Sequence, residues 1–130
     1  MSVFSDAELE YLAEGGRFGR LATIDERGMP HVVPLGWRYN AELDGIDIGG
    51  RDPDEFARSR KFRNVQANPH VAFVVDDVLP PWQPRSVMVR GTAEAIHTAP
   101  ADGSQPTALI RITPAEIISW GLTAMKEHVR

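Results

Sequence analysis

The chain of 130 residues contains no cysteine. That absence removes disulfides, thiolate catalysis and every cysteine-based metal site, and it fits a reducing compartment. Long apolar runs are missing as well. No stretch reaches the roughly 18 apolar residues of a membrane-spanning helix, and the opening MSVFSDAELEYL lacks the basic start and apolar core of an export signal. A cytoplasmic protein with no membrane partner is expected. Positive charge is in deficit, with 14 Lys and Arg against 18 Asp and Glu and a net charge of -4. General nucleic-acid binding, which draws on phosphate neutralisation, is therefore not expected. His31, His70, His97 and His128 are scattered, with no two at helical i, i+3 or i, i+4 spacing and no acidic cluster beside them, so no metal site is expected. Nucleophile-elbow, dinucleotide-binding and P-loop patterns are absent too.

What the chain does have is legible punctuation, and its length suits one domain spanning residues 1–130. Three helix starts pair a capping residue with a glutamate three positions on: Ser5 with Glu8, Asp52 with Glu55 and Thr113 with Glu116. They predict helices over about 6–14, from Asp52 to about Val65, and a short one from Thr113 that Gly121 stops. Between them lie six β-rich runs at 18–24, 31–39, 45–49, 70–76, 86–96 and 107–113. Gly28 and the Asp44-Gly45 pair supply hairpin turns, so the first three runs read as an antiparallel meander. Leu79-Pro80-Pro81-Trp82-Gln83-Pro84 reads as a loop. In the run from His70 to Asp76, Val71, Phe73 and Val75 share one face while Ala72 and Val74 on the other are apolar too. A six-stranded antiparallel sheet apolar on both faces, with three short helices, is satisfied by closing into a barrel and packing against a second copy.

Two segments are candidates for chemistry. Arg58-Ser59-Arg60-Lys61-Phe62-Arg63 sets four cations in six residues of an acidic protein. With Arg51 nearby and the Ser59 hydroxyl as a neutral donor, such a set suits a phosphate. The same cations equally suit a solvated face balancing Asp52, Asp54 and Glu55. In Pro30-His31-Val32-Val33-Pro34-Leu35-Gly36-Trp37, a proline inside a strand removes a ladder donor, so backbone groups are left to read a heterocycle, or the segment is an ordinary edge strand. Trp82, in the proline-rich loop, and Trp120, at the end of the third expected helix, are candidates for ring contact, and equally for core or interface packing.

In order and spacing, the strand region FGRLATIDERGMPHVVPLGWRY, the helix ending Arg60-Lys61-Phe62-Arg63-Asn64-Val65, the run Asn68-Pro69-His70-Val71 and the strand Val89-Arg90-Gly91-Thr92-Ala93 resemble the pyridoxamine 5'-phosphate oxidase-like split β-barrel superfamily. They resemble more narrowly its branch of deazaflavin oxidoreductases, and Arg111 through Leu122 resembles a subgroup that includes reductases of tetracycline biosynthesis. The resemblance implies a mainly β split barrel and a homodimer with two coenzyme sites at its interface. The coenzyme phosphate would lie against Arg60 and Lys61, with its ring along His31, Val32, Val33, Pro34 and Leu35. It implies coenzyme F420, with FMN as the alternative, and hydride transfer to an unsaturated or quinone-like small molecule. A non-catalytic coenzyme carrier is also compatible, since no acid, base or nucleophile is assignable. The arginine and histidine that bind substrate phosphate in true pyridoxamine phosphate oxidases have no counterpart near the C-terminus, so vitamin B6 oxidation is not expected.

Overall fold

A computed structural model of the chain describes residues 1–123 and 125–130. The first helix, α1 (Asp6–Glu14), opens on the capping box read from the sequence: the Ser5 amide donates to Glu8 Oε1 at 2.9 Å and the Glu8 amide donates to Ser5 Oγ at 3.2 Å. The segment from Asp52 holds two helices instead of one, α2 (Pro53–Ala57) and α3 (Arg60–Ala67). The break falls at Ser59, whose hydroxyl donates to the Phe56 carbonyl at 2.7 Å and accepts from the Phe62 amide at 3.4 Å, so this serine ends one helix and caps the next.

Eight strands are formed among the described residues, against the six expected: β1 (Gly19–Ile24), β2 (Pro30–Leu35), β3 (Arg38–Asn40), β4 (Gly45–Gly49), β5 (His70–Leu79), β6 (Gln83–Thr98), β7 (Thr107–Trp120) and β8 (Glu127–Val129). All pairings are antiparallel, and the order across the sheet is β2-β1-β5-β6-β7-β4-β3, with β8 added to β7. β2 and β3 stand at opposite ends of that order although only Gly36 and Trp37 separate them. Three peptide steps reach at most about 11 Å, so the sheet must curl until its ends meet, which makes it a barrel. The expected meander survives in bent form: the run from His31 to Tyr39 pairs with β1 through its first half and with β4 through its second.

The helix expected at Thr113 is not formed; residues 113–120 belong to β7. Two features of β7 explain this. Ile110 and Ile112 are buried, and so are Ile117 and Ser119, two sets of opposite parity on one strand. The register shift opposite Arg90 and Gly91 reconciles them, because Gly91 pairs with Pro114 and Arg90 with Glu116, leaving Ala115 as the extra residue of a bulge. Pro114 has no amide to leave unpaired there, and Glu116 turns to an ion pair with Arg90 at 3.0 Å rather than back to Thr113. The proline-rich loop is shorter than expected, since β5 runs to Leu79 and β6 begins at Gln83 around a turn holding a cis Pro80-Pro81 bond.

The barrel interior is filled by alternate strand residues, among them Leu21, Phe73, Val75, Val87, Val89 and Ile110, with Tyr11, Phe56 and Phe62 contributed by the helices. Asn64 of α3, itself buried, donates to Thr23 Oγ1 of β1 at 3.0 Å and ties that helix to the sheet.

Candidate functional site

The first turn of α3 carries the candidate cations, and helical geometry sends them in different directions. Lys61 is half-buried and lines a cleft of about 350 Å³ with Gly50, Arg51, Phe56 and Ser59. Its ammonium lies 5.1 Å from the centre of the Phe56 ring, and burial holds its pKa below the usual lysine value. Among the described residues no carboxylate pairs with Lys61, Arg58, Arg60 or Arg63, so the balancing of these cations by Asp52, Asp54 and Glu55 is not observed. Arg60, the next residue back, lines a different cleft on the other flank of α3 with Arg27, Arg63 and Asn64.

A second cleft of about 300 Å³ is lined by Gly36, Trp37, Arg38, Asp47 and Gly49, and Gly49 is followed directly by Gly50 of the Lys61 cleft, so the two are treated as one groove. A Cβ at Gly36 would meet nothing within 4 Å, and one at Gly49 would make only an ordinary contact at 3.5 Å with the Ala108 carbonyl. At Gly36 and Gly49 the groove wall is thus open backbone that a ligand can approach closely, whereas at Gly50 the Phe56 side chain, 3.0 Å from where a Cβ would stand, covers it. Trp37 stands over it, its indole Nε1 donating to the Arg17 carbonyl at 3.0 Å and its ring edge-on to Phe73 at 5.7 Å.

The far end of the groove rests on a buried carboxylate. Asp47, 5% exposed, accepts from Arg111 Nε at 3.0 Å and Nη2 at 3.2 Å, from Asn40 Nδ2 at 2.9 Å and from Arg38 Nη2 at 3.2 Å. Burial alone would raise its pKa, but the Arg111 fork and the Asn40 amide outweigh burial and hold the carboxyl below the usual aspartate value.

β2 ends the sheet order, so its second edge pairs with no strand among the described residues. His31, Val33 and Leu35 share a face with Thr23, Leu21 and Gly19 of β1, which places His31 one strand away from the Thr23–Asn64 tie to α3. His31 Nδ1 is buried and has no hydrogen-bond partner. Val32 and Pro34 face outward, and Val32 is 64% exposed.

The groove therefore brings together Arg51, Ser59 and Lys61, with the Ser59 hydroxyl already engaged by Phe56 and Phe62. Arg60 lies beyond the helix. Trp82 is 76% exposed at the β5–β6 turn, and Trp120 is half-buried on β7, opposite Ser86 and Glu127; neither lines the groove within one protomer. Sequence reasoning missed Arg38, Asp47, Gly49 and Gly50. The Gly49-Gly50 pair closing a strand was the available signal, whereas Asp47 inside GIDIG reads as an exposed alternation.

A family model described as pyridoxamine 5'-phosphate oxidase matches residues 5–121. A relative from Streptomyces rimosus, named 5a,11a-dehydrotetracycline/5a,11a-dehydrooxytetracycline reductase, is 44% identical over 123 residues, covering 92% of this chain and 84% of that protein. Among solved structures, an F420 reductase superposes with a TM-score of 0.59 at 23% identity, covering 83% of this chain and 94% of the other. A pyridoxamine 5'-phosphate oxidase-related, FMN-binding protein from Nostoc punctiforme superposes with a TM-score of 0.70 at 12% identity, covering 98% and 90%.

Proposed function

Since the chain belongs to the pyridoxamine 5'-phosphate oxidase family, we propose that it is an oxidoreductase that binds a flavin or deazaflavin coenzyme in the groove between β2, the Gly49-Gly50 backbone and the first turn of α3. More narrowly, the reading is a reductase that uses F420 and reduces an unsaturated or quinone-like small molecule. The carrying observation is Lys61: a cation partly stripped of water, without a carboxylate partner, at the end of an open glycine-walled groove. A phosphate there regains the charge-assisted bonds that burial denies the ammonium. The free edge of β2, which runs directly into Gly36 on the groove wall, supplies backbone polar groups suited to a heterocyclic ring. The relative's named substrates are dehydro compounds, which supports reduction of a carbon–carbon double bond.

The bound deazaflavin would supply the hydride. The chain's residues hold and orient: Lys61 and Arg51 anchor the phosphate, the β2 backbone fixes the plane of the ring, and Trp37 walls off water. A homodimer belongs to this reading, because the outward face of β5, β6 and β7 aligns Val74, Met88 and Ile118 side by side, half-buried in one protomer.

The test is a parallel titration of the apo-protein with F420 and FMN, followed by reduction assays on unsaturated acceptors. Tighter binding of F420, with its reduced form reoxidised by an acceptor, is the expected result. A preference for FMN would move the protein to flavin chemistry, and binding of neither would overturn the proposal.

A further inference from the structure

β1 and β2 meet at their open ends beside Gly36. The last paired residues are Gly19 and Leu35, and the Trp37 indole donating to the Arg17 carbonyl keeps the two chains together beyond them, so Phe18 and Gly36 stand opposite each other one step past the ladder. Side chains alternate along β1: Leu21 and Thr23 are buried, so Phe18 and Arg20 face outward. Phe18 is 65% exposed and makes no aromatic pair among the described residues. Gly36 opposite it leaves bare backbone, where a Cβ would meet nothing within 4 Å. An exposed ring beside an open glycine offers a flat ligand a face to stack on and no side chain to strike.

Two residues beyond Gly36 stands Arg38, at the end of a row of alternating charge that crosses the sheet. Arg38 of β3, Asp47 of β4, Arg111 of β7 and Glu94 of β6 are successive cross-strand partners. The Arg111 fork and the Asn40 amide already engage Asp47, and β3 ends the sheet order, so the row finishes on a cation at an open edge. Among the described residues Arg38 makes one hydrogen bond, from Nη2 to Asp47, and its side chain is 69% exposed. It is thus held at one nitrogen while Nε and Nη1 stay available to an anion. Arg20, beside Phe18 on the outward side of β1, is already paired with Asp76 at 2.6 Å.

We infer that Phe18 and Arg38 flank a substrate subsite at Gly36, which takes a planar conjugated carbonyl compound with its ring on Phe18 and its oxygen at Arg38. The inference rests on the reductase reading above and adds to it the residue that meets the charge formed in the reaction. When a hydride from a reduced flavin or deazaflavin adds to the carbon–carbon double bond of such a compound, a C–H bond forms, the π pair moves onto the carbonyl oxygen, and the coenzyme is left oxidised. The resulting enolate takes a proton from water, leaving hydroxide, to give the saturated carbonyl compound. Arg38 does not supply that proton, because a guanidinium stays charged. It stabilises the charge on oxygen as a donor already fixed by Asp47. An isolated alkene places no charge on oxygen and gains nothing from Arg38.

The probe is 4-nitrophenol, a planar ring whose phenolate oxygen imitates the enolate and whose two protonation forms absorb at different wavelengths. Titrated into the wild type with and without oxidised coenzyme, it is expected to bind as the phenolate. Arg38→Gln should weaken phenolate binding about tenfold and abolish the preference for that form, Arg38→Lys should restore part of it, and Phe18→Ala should weaken both forms about fivefold. With a conjugated enone as acceptor, Arg38→Gln is expected to lower kcat/KM about 100-fold, mostly through kcat. Equal binding of phenol and phenolate by the wild type, or a preference that survives in Arg38→Gln, overturns the inference. So does a loss of coenzyme affinity in Arg38→Gln as large as its loss of turnover, which would give Arg38 to the coenzyme. If Phe18→Ala leaves probe binding unchanged and shifts sedimentation to the monomer, the ring belongs to a contact between copies and the subsite falls. Should no coenzyme bind or no enone be reduced, the reductase reading falls and the probe alone decides: phenolate bound by the wild type and lost in Arg38→Gln sustains the subsite, and no phenolate binding overturns it.

Discussion

Lys61 sits where two effects oppose each other: burial favours the neutral amine, and an anion in the cleft favours the ammonium. Coenzyme binding should therefore take up protons at alkaline pH, and affinity should fall as pH rises through the pKa of free Lys61, which lies below the ordinary 10.5. Lys61→Ala is expected to weaken binding by about 1.5 to 3 kcal/mol and to flatten this alkaline decline, as titrations at several pH values will read. Lys61→Arg should keep the neutral-pH affinity better than alanine and move the decline beyond the accessible range, because a guanidinium does not titrate there. Another single-residue test concerns fold. A Cβ at Gly91 would fall on the Thr113 carbonyl oxygen inside the β7 bulge, where backbone must move to admit it. Gly91→Ala is expected to cost about 2 to 3 kcal/mol in a urea melt, whereas alanine at Gly36, in open space, is expected to cost far less.

At the scale of elements, local signals were legible wherever a residue's own neighbours settle the outcome. The capping box of α1 and the Asp52-Pro53 start of α2 are formed because side chain and amide lie within one turn. The same pattern at Thr113-Pro114-Ala115-Glu116 yields a bulged strand, since β6 offers thirteen paired positions along β7 and the opposite-parity pairs Ile110/Ile112 and Ile117/Ser119 all reach the core only with one extra residue between them. Tertiary pairing there outweighs a capping preference of about 1 kcal/mol. Asp47 is another residue the sequence hides, because its partners Arg111, Asn40 and Arg38 come from β7 and β3. Its folded pKa is depressed, so it stabilises the fold above its unfolded value near 3.8 and loses that contribution as pH falls through the lower folded value. Asp47→Asn is expected to lower stability by about 2 kcal/mol at neutral pH. Urea midpoints of wild type and variant should converge below about pH 4, and a gap that persists unchanged there would contradict the assignment.

For the whole molecule, sequence reasoning reached the barrel and pointed to Arg51, Ser59 and Lys61, which line one cleft, but not to the sheet order or the way Arg60 and Lys61 part around α3, and the run His31–Leu35 lines neither cleft of the groove. Closure itself was foreshadowed by apolar residues on both faces of β5. The inner set, Val71, Phe73 and Val75, fills the core, while the outer Val74 lies in a cross-strand row with Met88 and Ile118, and Ile118 pairs onward with Val129, which is 52% exposed. One protomer leaves this row half-covered, and a stable interface requires roughly 800 Å² from each partner, an area such a sheet face can supply. The protein is accordingly expected to sediment at twice its 14.4 kDa chain mass. Met88→Glu places like charges across the two-fold axis and should shift it to the monomer with its far-ultraviolet circular dichroism unchanged, because the side chain points away from the core. Coenzyme affinity should then fall with the dimer if the partner completes the groove, and persist in the monomer if β2, Gly49-Gly50 and Lys61 suffice. A wild-type chain that sediments as a monomer at micromolar concentration would refute the assembly while leaving the groove of a single protomer to be tested by titration.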